Sequence, residues 1–144
     1  MKHLLQRLNR SLARFAAYAP LPIRLLLGAH LVYGVQDNVR SYAQMLEFRD
    51  FLLQYGFPVP LLSAHVSVYV QLLSGLCYLA GLYTRAAAGL MIVNFLVALL
   101  MVHAGGPYAA AFPALVMLGG AIFLLLNGPG RPSLDHRLGL ESYG

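Results

Sequence analysis

The chain has 144 residues, 59% of them hydrophobic and only 10% charged, and a formal net charge of +5. Soluble domains carry about 25% charged residues, and so short a chain cannot hide this much apolar surface in one soluble core. An ordinary soluble domain is therefore excluded, and the composition predicts an all-α integral membrane protein, with residues 1–144 as one domain. Nucleic acid is set aside as a partner because no basic stretch is interleaved with aromatic residues. Membrane lipid is the expected surrounding. The single cysteine, Cys77, excludes an internal disulfide and a CxxC redox pair.

Residues 1–19 place Leu4, Leu5, Leu8, Leu12, Phe15 and Ala16 at helical spacing, with Lys2, Arg7, Arg10 and Arg14 between them. This pattern predicts a short N-terminal interfacial helix on an anionic leaflet. A signal peptide fits less well, because positive charge is scattered up to Arg14 and the next apolar stretch holds Arg24 and His30. Four apolar stretches follow, at about 21–38, 61–83, 86–103 and 108–127. Each is near the ~20 residues that cross a bilayer as a helix, so the prediction is a four-helix transmembrane bundle. The first stretch is the shortest and most polar. Between it and the second, Met45, Phe48, Leu52 and Tyr55 share one helical face. They predict a short outer interfacial helix, ended by Gly56 and the Pro58/Pro60 pair. Pro113, early in the fourth stretch, predicts a kink or a late helix start. After Asn127 the chain reads GPGRPSLD. Gly128 can end the helix, Pro129 forbids its continuation, and Ser133 can cap the short segment after Gly130.

Lys and Arg set the expected orientation. Lys2, Arg7, Arg10 and Arg14 precede the first stretch, Arg85 lies between the second and third, and Arg131 and Arg137 follow the fourth. The first link offsets Arg40 and Arg49 with Asp37, Glu47 and Asp50, and the AGGPY link is uncharged. Both termini and Arg85 are expected in the cytoplasm.

Polar groups inside a bilayer are costly, so each needs a reason. Arg24 reads as an anchor snorkelling to lipid phosphate, with Asp135 as partner or an anionic ligand as the alternatives. A structural clasp is expected in which Asp135 meets Arg24 or Arg85 at the cytoplasmic interface. His30, Tyr33, Gly34 and Asp37 share one face of the first stretch. Ser67, Gln71, Ser74 and Tyr78 form a polar seam on the second, and Asn94 stands alone in the third, where it is expected to bond across the bundle. Gly75, Gly81, Gly89, Gly119 and Gly120 are assigned to close helix packing. The alternating helix directions bring His30, His65, His103 and Asp37 toward the outer side. Such a set suits a quinone headgroup with proton relay, with haem or copper as the other candidates and no dedicated metal site assigned. The bland alternative for all of these groups is interhelical hydrogen bonding. His65 lies off the seam's face.

The order of these segments resembles the DoxX family of small four-helix membrane proteins. The resemblance runs through IRLLLGAHLVYG, then FLLQYGFPVP with its Gly-x-Pro ending, then QLLSGLCYLAGLYTR with its Gly-Leu-x-Thr-Arg exit. It continues with a third helix ending at His103 and the closing GPGRPSLD. Two departures stand out. Gln71 occupies a position where many members carry Glu, and no acidic residue precedes or enters the fourth helix. A neutral Gln carries no proton as a carboxylate does. The resemblance implies a multi-pass protein of the bacterial inner membrane. It further implies the membrane subunit or accessory of a quinone-linked oxidoreductase. On that reading His30, Asp37 and His103 exchange protons, while Tyr33, Gln71 and His65 hold the quinone. The alternative is a non-catalytic adaptor or maturation factor for an exported redox or metal protein. Both readings imply a protein partner.

Overall fold

A computed structural model of the chain describes residues 2–140; Met1 and residues 141–144 lie outside the described part. The described residues form helices without strands. Helix α1 spans Lys2–Ala13 and is followed by a 3-10 turn at Ala16–Tyr18. Arg7, Leu12, Arg14 and Phe15 are exposed, whereas the side chains of Lys2, Leu4, Leu5, Leu8 and Arg10, on which the expected apolar and basic faces also rest, lie outside the description.

Helix α2 (Pro20–Arg40) starts on a proline, whose missing N–H costs nothing in a first turn. Helix α3 (Tyr42–Gln54) follows after the single extended residue Ser41, and α4 (Pro60–Ala80) again starts on proline. The second apolar stretch was expected to run to Tyr83, but α4 ends at Ala80. Gly81 adopts φ 66°, the Leu82 N–H reaches Cys77 O at 3.0 Å and the Gly81 N–H reaches Tyr78 O at 3.2 Å, so the last carbonyls are satisfied by a Schellman turn. Helix α5 (Thr84–Val97) runs on as a π-helical turn, Ala98–Val102. Helix α6 (Tyr108–Asn127) carries Pro113 within its second turn, so the expected late start is not found. The short α7 (Leu134–Arg137) is capped by Ser133, whose Oγ accepts the His136 N–H at 3.2 Å.

Three of these elements, α4, α5 with its π turn, and α6, are long and apolar enough to cross a membrane. Helix α2 matches α4 in length at 21 residues but is more polar, so it does not join that set. The four main helices pack in a ring, α2 on α4, α4 on α5, α5 on α6, with α6 touching α2. Lipid tails are as apolar as leucine, so apolar burial gives little drive for this association; close packing and polar bonds must supply it. The crossing of α2 and α4 shows the first. A Cβ on Gly28 would lie 2.9 Å from Gly75 O, and one on Gly75 would lie 3.0 Å from Gly28 O. Gly120 is crowded by Leu27, while Gly89 and Gly119 have open space, so only part of the expected packing glycines pack.

Two apolar clusters result. The larger, around Leu27, Leu31, Tyr78, Ala88, Met91 and Leu124, joins all four helices. The smaller joins Val35 of α2, Met45 and Leu52 of α3, and Ala64 and Val68 of α4. Of the apolar face expected for α3, Met45 and Leu52 are buried against protein and Phe48 packs beside them, while Tyr55 stays exposed. The space between α4 and α5 toward α3 belongs to neither cluster.

Candidate functional site

One end of the ring gathers the start of α2, the α4–α5 turn, the end of α6 and the GPGRPSLD segment. That segment folds back over the end as a clasp. The Arg131 N–H donates to Ala17 O at 2.7 Å and the Asp135 N–H to Gly81 O at 2.8 Å. The Arg131–Pro132 peptide is cis. Arg24, 2% exposed, reaches into the clasp from α2. Its Nη1 donates to Pro129 O at 3.0 Å and its Nη2 to Pro132 O at 2.8 Å. Arg24 is thus a buried tie to the closing segment, not the expected snorkelling anchor. Asp135, 5% exposed, accepts the Tyr83 N–H at 2.7 Å and the Thr84 N–H at 3.0 Å. A carboxylate placed on the first free amides of α5 satisfies them and meets the positive end of the helix dipole. Tyr83 holds φ 49°, uncommon for an aromatic residue, and its amide is one of the two that Asp135 binds. The expected pairing with Arg85 is not made: Arg85 is exposed and lies 3.4 Å from Leu126 O. Gly81 has no room for a side chain, because a Cβ there would collide with the Arg24 guanidinium and lie 2.7 Å from Ser133 Cβ. Gly128, Pro129 and Gly130 are buried, and a Cβ on Gly130 would meet Ala17 O at 2.8 Å.

At the other end α4 and α5 part around a pocket of about 480 Å³. Phe48, Phe51, Leu52 and Phe57 wall it on the α3 side. Val66, Val70, Val93, Phe95 and Ala98 line the α4 and α5 sides. Its polar members are Ser63, Ser67, Gln71, Asn94 and His103, and among the described residues no Asp, Glu, Lys or Arg lines it. The first half of the α4 seam supplies two of them. Gln71 Nε2 donates to Ser67 Oγ at 3.0 Å, and Ser67 Oγ donates to Asn94 Oδ1 at 3.0 Å. Asn94 thereby bonds across the bundle. One N–H of Gln71 and the Asn94 Nδ2 group stay without a partner among the described residues. The other half of the seam turns into the core, where the hydroxyls of Ser74 and Tyr78 are buried. The π turn Ala98–Val102 forms the pocket's far wall and carries His103, half-buried at its edge. An extra residue in a helical turn widens the helix and shifts the side chains after it, a device common at functional sites.

The structure brings Gln71 and His103 to this pocket and leaves the other expected members outside. His30, Tyr33 and Asp37 are exposed on the outward face of α2, Tyr33 by 73%. The cost of polar groups in lipid, taken alone, would turn these three side chains inward. Helix α2 has a second, better packing face, Arg24, Leu27, Gly28, Leu31 and Val35, and the Gly28–Gly75 contact turns that face inward. His65 is also outside the pocket; its Nδ1 pairs with Leu61 O at 2.8 Å and its ring stacks near Tyr69. Among the described residues no group of three or more His, Cys, Asp or Glu side chains gathers to hold a metal, so a copper site of that size is not assembled. Sequence reasoning missed the aromatic wall and the π turn. Phe48, Phe51 and Phe57 were a signal for the wall; a π turn has no comparable mark in sequence.

The chain matches the DoxX family model over residues 19–104. An uncharacterised membrane protein of Mycobacterium tuberculosis is 35% identical over 131 residues, covering 81% of this chain and 78% of that protein. The inner membrane protein YphA of Escherichia coli is 31% identical over 126 residues, covering 78% of this chain and 89% of that one. No solved structure matches the chain significantly. The segments that fold into the α2–α4 crossing, the α3 link and the α4–α5 turn all fall inside the matched range, and this chain is a membrane protein of the DoxX family.

Proposed function

We propose that α2, α4, α5 and α6 all cross the bacterial inner membrane, with the clasp end in the cytoplasm, and that the chain is the membrane subunit or accessory of a quinone-linked redox system. Helix α2 has the length to span, about 31 Å at 1.5 Å per residue. Arg7, Arg14, Arg85, Arg131 and Arg137 all belong to the clasp end, while the charges near α3 offset one another, as in the Arg49–Asp50 pair at 2.6 Å; this asymmetry supports the orientation.

The observation that carries the functional reading is the pocket. Its volume falls within the roughly 300–1,000 Å³ of small-molecule sites, and its walls are apolar and aromatic with few polar groups, as such sites require. A quinone headgroup is a flat, uncharged ring with a carbonyl at each end. The free N–H groups of Gln71 and Asn94 can donate to a carbonyl, the phenylalanines can cover the ring faces, and the absence of charge costs a neutral guest nothing. When bound, a quinone supplies two-electron chemistry coupled to proton uptake. This chain's own part is to hold the ring, exclude water, and exchange a proton at the His103 imidazole.

A second reading, the non-catalytic adaptor, is favoured by one feature. With Gln71 in place of a carboxylate and Asp37 outside, His103 is the one acid–base side chain among the described residues that line the pocket, a sparse set for a catalytic proton path.

Equilibrium dialysis of a short-chain ubiquinone against the purified protein in nanodiscs tests the proposal. Saturable binding at one per chain is expected, lost when the Ala98→Phe ring intrudes into the pocket and weakened about five-fold by Gln71→Leu through one lost hydrogen bond. Binding that is absent, or indifferent to Ala98→Phe, would overturn it and leave the adaptor reading.

A further inference from the structure

The outward faces of α4, α5 and α6 are apolar, with Leu73 and Leu76, Leu96, and Val116 and Ile122 among their exposed residues. The outward face of α2 is not. Leu26, His30, Tyr33, Asp37 and Arg40 are all exposed and recur at steps of four, three, four and three residues. That is the heptad spacing by which two parallel helices meet along a seam. The side chains of His30, Tyr33, Asp37 and Arg40 have no hydrogen-bond or ion-pair partner among the described residues. His30 lies at the middle of the helix. With α2 across the bilayer, as proposed above, its imidazole sits at mid-depth, where a polar group without a partner is most costly. Ala29 and Gly34 border the stripe; a Cβ on Gly34 would meet nothing within 4 Å, so the backbone there is open to close approach.

We infer that this stripe is the contact between two copies of the chain, paired in parallel about an axis normal to the membrane. All copies insert in one direction, so residues of equal depth meet. Along a heptad seam each residue faces its own equivalent and the next seam residue of the other helix. His30 then lies beside Tyr33 of the partner subunit, and Asp37 beside Arg40 of the partner subunit. Both pairs are complementary: the phenol O–H donates to the imidazole nitrogen, and the guanidinium donates to the carboxylate. Twofold symmetry makes each pair twice, so all four polar side chains of the stripe are satisfied in both copies. An unrelated membrane helix would have to carry matching groups at both depths; a second copy carries them already.

The test uses the full chain in membranes of the expressing bacterium. Cys77→Ala removes the native thiol, and single cysteines are placed at Leu26→Cys on the stripe or Leu73→Cys on α4, positions 72% and 61% exposed. Mild copper-phenanthroline oxidation is expected to give a disulfide dimer of twice 15.7 kDa from Leu26→Cys and not from Leu73→Cys. Adding His30→Leu and Tyr33→Phe, both compatible with lipid, should lower the dimer yield about eight-fold, the loss of two interhelical hydrogen bonds of average strength. Equal yields at the two positions, or a Leu26→Cys dimer indifferent to His30→Leu and Tyr33→Phe, would overturn the inference. A membrane-impermeant maleimide separates the two ways of failing. No dimer with Leu26→Cys shielded means that α2 is embedded and the pairing is wrong. No dimer with Leu26→Cys labelled means that α2 does not span and the topology it rests on is wrong.

Discussion

The clasp end and the pocket end of the bundle are joined by different amounts of polar chemistry. At the clasp end Arg24 ties α2 to two carbonyls of the closing segment, and Asp135 ties that segment to the first amides of α5. Gly81 and Gly130 allow the backbones to touch. At the pocket end the Ser67–Asn94 bond joins α4 to α5 beside a volume of about 480 Å³. In lipid, apolar contact discriminates little between helix–helix and helix–lipid packing. Where the polar bonds sit therefore decides where the bundle is fixed, and where they thin out the helices can part around a guest.

The contrast can be broken most strongly at the clasp. Asp135→Ala strips two amides of a charged acceptor in a buried site and should cost about 3–5 kcal/mol, read as a lowered thermal midpoint of the purified protein. Gly81→Val should be comparable, since it adds a clash with Arg24 to a φ that a branched residue resists. Arg24→Met keeps the apolar stem but leaves Pro129 O and Pro132 O bare, for about 2–4 kcal/mol. At the pocket end the effects should be smaller. Ser67→Ala breaks the Gln71–Ser67–Asn94 chain and should cost about 0.6–1.7 kcal/mol, the range of measured interhelical bonds. Ala98→Phe should move stability by less than ~1 kcal/mol, because it fills space without displacing packed atoms, while removing ligand binding. A clasp variant as mild as Ala98→Phe would erase the distinction between the ends.

Most of the helical frame was legible. Apolar runs of near-spanning length and GPG after Asn127 fixed the long elements within a few residues, because lipid leaves a backbone little choice but a helix; Pro60, expected to help end the outer helix, is the first residue of α4. Ser133 as a cap was readable from its place before an acidic short helix. The rotation of α2 was not. Two faces of that helix compete, one polar and one built on Gly28, and only the position of Gly75 on another helix decides between them. That decision moved His30, Tyr33 and Asp37 away from Gln71 and His103. The role of Asp135 was half legible: its ionic partners were sought among side chains, while the amides of Tyr83 and Thr84 carry no mark in the sequence. The pocket rests on the π turn and on the packing of α3, both of them consequences of tertiary context.

Amide hydrogen exchange with and without a short-chain ubiquinone, on the protein in nanodiscs, bears most directly on the claim that the pocket end is the ligand site and the clasp end a fixed frame. Slow exchange is expected in the 81–85 and 131–138 segments in both states. Ligand should slow exchange in the 48–57 and 94–103 segments and leave the clasp unchanged. Protection confined to the clasp, or none at the pocket with ligand bound, would contradict the account.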